Sequence, residues 1–117
     1  MYDFDGVLNH STVEFVERYV RSLLTWDILV FFHRNPDAAL DIEGLVSRLG
    51  RHADELLPEV DELCRDDILS NGDGLIRYAP TPELRDAVGE FAEACQDRGR
   101  RLAFIALVLH KINPHVG

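Results

Sequence analysis

From Ser11 to Phe32 apolar residues return every three or four positions, at Val13, Val16, Val20, Leu23 and Leu24. That spacing predicts a helix with one buried stripe. Ser11-Thr12-Val13-Glu14 has the capping-box order and predicts its start, and Asn35-Pro36 predicts its end. Between Leu23 and Phe32 eight of ten residues are apolar, so this stretch must be covered on more than one side. Leu40 reads as a very short strand. A second helix follows over 42–49, with Asp41 as its cap, Ile42, Leu45, Val46 and Leu49 as its stripe, and Gly50 as its stop. The third helix runs from about Ala53 to Asp66. Leu56, Val60, Leu63 and Asp67 share one track, Leu57 and Cys64 lie beside it, and Pro58 in the first two turns predicts an irregular start.

The pattern then changes from helical spacing to short runs around turn residues. Ile68-Leu69-Ser70 and Leu75 to Ala79 flank Asn71-Gly72-Asp73-Gly74, which predicts a β-hairpin, since Asn-Gly and Asp-Gly supply positive φ cheaply. Thr81 and Pro82 open a fourth helix over about 82–97, with Leu84, Val88, Phe91 and Cys95 inward. Gly99 interrupts, and a fifth helix over about 100–112 contains the wholly apolar Leu102–Leu109 segment. Residues 1–10 read as an N-terminal arm and 11–117 as a single domain.

Helix, short strand, helix, tight turn, helix, hairpin is the order of a winged helix-turn-helix. The expected fold is therefore mainly α with a small β-hairpin wing and an added pair of C-terminal helices. The chain also resembles bacterial winged-helix regulators of the broad ArsR/MarR type, and more nearly a set of small uncharacterised winged-helix proteins. The resemblance is carried by Arg21 to Leu29, by Asn35-Pro36, by the stretch from Ile42 to Leu69, and by Arg77-Tyr78-Ala79-Pro80 with the terminal apolar helix. It implies a DNA-binding regulator, with phosphates and bases met by Arg48, Arg51, His52, Asn71 and Arg77.

Charge complicates that implication. The 117 residues carry 12 Lys and Arg against 21 Asp and Glu, a net −9. Residues 53–67 hold Asp54, Glu55, Glu59, Asp61, Glu62, Asp66 and Asp67 against Arg65 alone, whereas 98–117 hold four cations and no acid. In a DNA-binding winged helix the third helix enters the major groove, where every carboxylate opposes phosphate contact. Two non-enzymatic readings follow. One is a dimeric transcription-type regulator that touches DNA. The other is a protein-interaction module whose third helix binds a basic partner through Glu55, Glu59 and Glu62.

A dimer is expected on hydrophobic grounds. Two segments, 23–32 and 102–109, are apolar all round, and a single core can cover only one face of each. Some of Trp26, Val30, Phe104, Ile105, Val108 and Leu109 would be left for a two-fold contact with a second copy.

Other chemistry is weaker. Asp3-Phe4-Asp5-Gly6-Val7-Leu8 resembles the nucleophile motif of haloacid-dehalogenase-type phosphatases. That chemistry needs a preceding strand and a lysine before a late acidic pair, but the one lysine, Lys111, follows Asp66-Asp67. The five histidines show no zinc spacing with Cys64 or Cys95, and no cofactor is expected. Both cysteines fall on apolar tracks and read as small buried hydrophobes, although Arg65 beside Cys64 leaves a redox role open. Asp27, set among apolar neighbours, is expected to be buried against an arginine. The longest nearly apolar run is about ten residues against the roughly 20 of a membrane span, no secretory leader is read at Met1 to Asp5, and a reducing cytoplasm is expected.

Overall fold

The computed structural model describes residues 9–112. Within them the chain runs α1 (His10–Tyr19), α2 (Leu23–Arg34), β1 (Ala39–Leu40), α3 (Ile42–Leu49), α4 (Ala53–Arg65), β2 (Leu69–Ser70), β3 (Ile76–Tyr78), α5 (Pro82–Ala94) and α6 (Arg98–Ile112). It is mainly helical with one small antiparallel sheet, ordered β1-β3-β2. Most of the expected N-terminal arm, with the phosphatase-like motif, lies outside the described residues.

The first expected helix is two helices. Asn9, not Ser11, caps α1: its Oδ1 accepts from the Ser11 N–H at 2.9 Å and from the Ser11 hydroxyl at 2.7 Å. The Ser11–Glu14 capping box therefore does not form, and His10, placed in the arm by the sequence reading, is helical. The second break is local too. Val20 leaves the helical region at φ −92°, ψ 87°, and the Ser22 hydroxyl accepts from the Thr25 N–H at 3.2 Å to start α2. A serine that serves as an N-cap offers the backbone an alternative to continuing the helix.

That break lets α2 pass through the middle of the molecule. On one side Trp26 meets Phe91 of α5 edge-on at 5.0 Å and Phe104 of α6 at 6.2 Å. On the other, Phe32 stacks on Tyr78 of β3 at 6.3 Å. Ile28, Leu29 and Phe32 are fully buried. α1 completes the helical side by packing on α5 and α6, with Phe15 at 5.8 Å from Phe91.

α3 forms as expected around its cap, and α4 starts from His52 in a capping box with Glu55, without the irregular start expected of it. Asp41 Oδ1 accepts from the Gly44 N–H at 2.8 Å, and Gly50 ends α3 in the left-handed region at φ 66°, where glycine has no Cβ to clash. α4 runs unbroken through Pro58, although the proline removes one N–H from the helical ladder beyond the first turn. Leu56, Val60 and Leu63 are fully buried, but Asp67, expected on their track, lies past the helix end, exposed and at φ 62°.

The hairpin forms with Leu69 opposite Tyr78 and Ser70 opposite Arg77, and β1 joins it through Ala39–Arg77 and Leu40–Ile76. Of the turn glycines only Gly74 takes positive φ, at 83°. Farther on, Thr81 Oγ1 caps α5 and Pro82 holds its first turn. α5 ends at Ala94, earlier than expected, and Gly99 does not interrupt. The break belongs to Asp97, whose Oδ2 accepts from the Arg100 N–H at 2.9 Å, so Gly99 lies inside the first turn of α6.

Candidate docking face

α3, the Gly50–His52 turn, α4 and the hairpin carry the residues expected to meet DNA. Arg48 is exposed in the last turn of α3, where a cation suits the negative end of the helix dipole, and it has no carboxylate partner among the described residues. Arg51, in the turn, lies 3.4 Å from Asp27 of α2. Asp27 has the arginine partner expected for it but not the burial, because its side chain is 47% exposed. His52 is exposed at the start of α4, and its backbone N–H donates to Glu55 Oε2 at 3.2 Å. Asn71 is exposed in the hairpin turn. Arg77 lies on β3 and pairs with Asp73 at 2.6 Å. The Arg77 hydrogen bond, followed by the Leu75 N–H, holds the Asp73 carboxyl below its ordinary range.

Two of the three arginines thus already face a carboxylate of this chain. The N-terminal end of α4 is likewise answered: Asp54 and Glu55 occupy its first turn, where a phosphate would otherwise find N–H groups and a positive dipole.

The acids expected to meet a protein partner are differently placed from one another. Glu59 is turned inward. It accepts the Thr25 hydroxyl at 2.7 Å, lies 3.6 Å from Arg21 Nε, and is 21% exposed. It clamps α4 to α2 and is no free contact, a correction to its expected role. Arg21 also donates to Asp66 Oδ2 at 2.9 Å, so one guanidinium ties the α1–α2 joint to the end of α4. Glu55 closes the helix start, and Glu62 pairs with Arg65 at 2.7 Å. On α4 the exposed acids with neither a cation partner nor a capping bond among the described residues are Asp54 and Asp61. Beside Asp61 the exposed Leu57 and Pro58 line a cleft of about 470 Å³ on the flank of α4. Leu57 was legible only as a neighbour of the buried track, because one helical position decides whether it faces in or out.

The expected two-fold contact also divides. Trp26, Phe104 and Val108 are buried in the chain's own core, since α2 and α6 cover each other. Val30 and Ile105 are half-buried, and Leu109 is 45% exposed. Leu102, at 55%, joins Leu109 on the outer side of α6.

Burial raises both thiols. Cys95 is buried and pushed up to about 12, while half-buried Cys64 is raised by desolvation and by the Asp61 charge. Arg65 does not activate Cys64, because its guanidinium is turned to Glu62. Among the described residues no group of three or more His, Cys, Asp or Glu is placed to hold a metal ion, and no helix is long and apolar enough to cross a membrane. No family model, curated protein or solved structure matches the chain.

Proposed function

We propose that this chain is a non-enzymatic winged-helix regulator of transcription type that works as a cytoplasmic homodimer. The observation that carries the reading is topological. β1 lies between α2 and α3, pairs with β3, and leaves β2 and β3 as a hairpin directly after α4. That is the order in which a winged helix presents its third helix and wing on one side. Exposed Arg48 and Asn71, with Arg51, His52 and Arg77, supply the contacts to duplex DNA. The Arg51–Asp27 and Arg77–Asp73 pairs are exposed enough for a phosphate to compete with them. The test is a mobility shift on random duplex DNA across a salt series. Arg51→Ala and Arg77→Ala should each weaken binding at every sequence and flatten the salt slope by about one unit. No shift at low salt sinks the DNA contact.

A second reading keeps the fold and replaces DNA by a basic protein segment. Asp54 and Asp61 flank the exposed Leu57 and Pro58 on α4, which suits a partner with an apolar anchor between cations. Asp54→Lys and Asp61→Lys should abolish calorimetric binding of a leucine-containing oligoarginine peptide. Unchanged heats would count against this reading.

A further inference from the structure

Among the described residues three large apolar side chains are exposed: Leu57, Leu102 and Leu109, at 44%, 55% and 45%. They lie on two helix faces of opposite charge. On α4, Asp54 stands three residues before Leu57 and Asp61 four after it, so all three share one face with Pro58. On α6, Arg98 and Ala106 stand four residues either side of Leu102, and Leu109 continues that face. Arg101 is exposed beside it, and the helix contains no acid. Each helix gives its other side to the core, through Leu56, Val60 and Leu63 of α4 and through Ala103, Phe104 and Val108 of α6. Because all three leucines are exposed, neither face covers the other within one chain.

An apolar anchor flanked by acids is complementary to an apolar anchor flanked by cations. This chain carries both halves, so a second copy meets the α4 face with the charge and the apolar surface it lacks. We infer that the α4 face of one copy docks on the outer side of α6 of another. Leu57 lies against Leu102 and Leu109, small Ala106 leaves it room, and Asp54 and Asp61 turn towards Arg98 and Arg101. The inference names the partner of α4 and rests on the reading of α4 as a protein-binding face. The contact is heterologous: a pair formed this way keeps one α4 face and one α6 face free, and further copies add as concentration rises. It also withdraws α4 from DNA. A two-fold pair of α6 helices would use the same leucines of α6, leave α4 free and stop at two.

Sedimentation velocity of the full chain separates these arrangements. The wild type should form a pair at micromolar concentration and larger species as the concentration is raised. Leu57→Gln should weaken self-association about tenfold or more by removing the anchor, and Asp54→Lys with Asp61→Lys should do so by reversing the charge. Leu102→Glu with Leu109→Glu should do the same from the other side. All five positions are exposed, and each variant is compared at an unchanged circular dichroism spectrum. Mixing Leu57→Gln with the Leu102→Glu, Leu109→Glu chain is the decisive arm. The first keeps its α6 face and the second its α4 face, so together they should form a one-to-one pair that neither forms alone and that adds no further copy. A Leu57→Gln chain that pairs as well as the wild type overturns the contact and favours the α6 pair. So does a mixture that stays monomeric, or a wild type that does. Binding of the leucine-containing oligoarginine peptide without self-association would remove this contact and leave the protein-binding reading of α4 standing, whereas the failure of both would remove both.

Discussion

Arg21 shows how much one side chain can hold when its neighbours are half-buried. Its guanidinium reaches Asp66 at 2.9 Å and Glu59 at 3.6 Å, and Glu59 in turn holds the buried Thr25 hydroxyl. Removing the cation leaves two half-buried carboxylates facing each other's charge. Arg21→Ala should cost about 2 kcal/mol in urea unfolding, less than a fully buried pair because water still reaches the cluster. A loss below about 0.5 kcal/mol would place Arg21 with ordinary surface arginines. Tyr78 presents the opposite case. Its ring stacks on Phe32, but its hydroxyl is buried with no hydrogen-bond partner among the described residues. Tyr78→Phe should leave stability unchanged or raise it by about 1 kcal/mol, since it removes an unsatisfied polar group and keeps the ring. At Asp73 the folded carboxyl titrates below its ordinary range, so the hairpin gains from the ionised form above that range and loses the gain as pH falls through the lowered value. A carbon-detected titration should place Asp73 below the ordinary aspartate range, and Arg77→Gln should move it up towards that range.

At the scale of elements the caps decide where helices stop. Ser22 divides one apolar run into α1 and α2, and Asp97 rather than Gly99 divides α5 from α6. In each case a short polar side chain takes a first-turn N–H, which periodicity alone cannot reveal because the apolar spacing continues across the break. Pro58 is a different exception. It is the sixth residue of α4, beyond the first turn where proline costs nothing, yet the helix continues through it. Its side chain is exposed, so no packing is lost on its removal. Pro58→Ala should therefore stabilise the protein by about 1–3 kcal/mol, read as a higher urea midpoint at unchanged slope. A lower midpoint would mean that the proline shapes the cleft beside Leu57.

For the whole molecule the question is what covers α6. Phe104 and Val108 face the core, while Leu102 and Leu109 face outward. Arg98, Arg100 and Arg101 crowd the helix start, so two α6 helices side by side would repel if parallel and separate their cations if antiparallel. An antiparallel pair of α6 helices is the two-fold alternative to α4 on that outward side. The wild type should sediment at twice 13.3 kDa at micromolar concentration, and Leu102→Glu with Leu109→Glu should return it to the monomer without loss of helix signal. A wild type that sediments as a monomer with no concentration dependence ends the dimer proposal. Phe104→Glu would not serve, because it puts a charge into the core and unfolds the chain.

Wherever a residue's neighbours in sequence settle its conformation, the chain alone was sufficient. Asp41 and Gly50 bound α3, Thr81 and Pro82 start α5, and the turn residues between Leu69 and Tyr78 close the hairpin, all through hydrogen bonds or φ preferences within a few residues. The face a side chain takes, and the partner it finds, required the folded chain. Trp26 and Phe104 looked surplus because a helix apolar all round has no face marked as inner, and only the crossing of α2 with α5 and α6 buries both. Glu59 and Asp61 look alike in an acidic helix. A separation of 34 residues from Thr25, and a longer one from Arg21, leaves no local signal that these two will claim Glu59 while no cation among the described residues claims Asp61. Leu57, Leu102 and Leu109 likewise stay outside only because α4 and α6 turn their other sides to the core, since contacts between distant segments are set by packing and not by spacing along the chain.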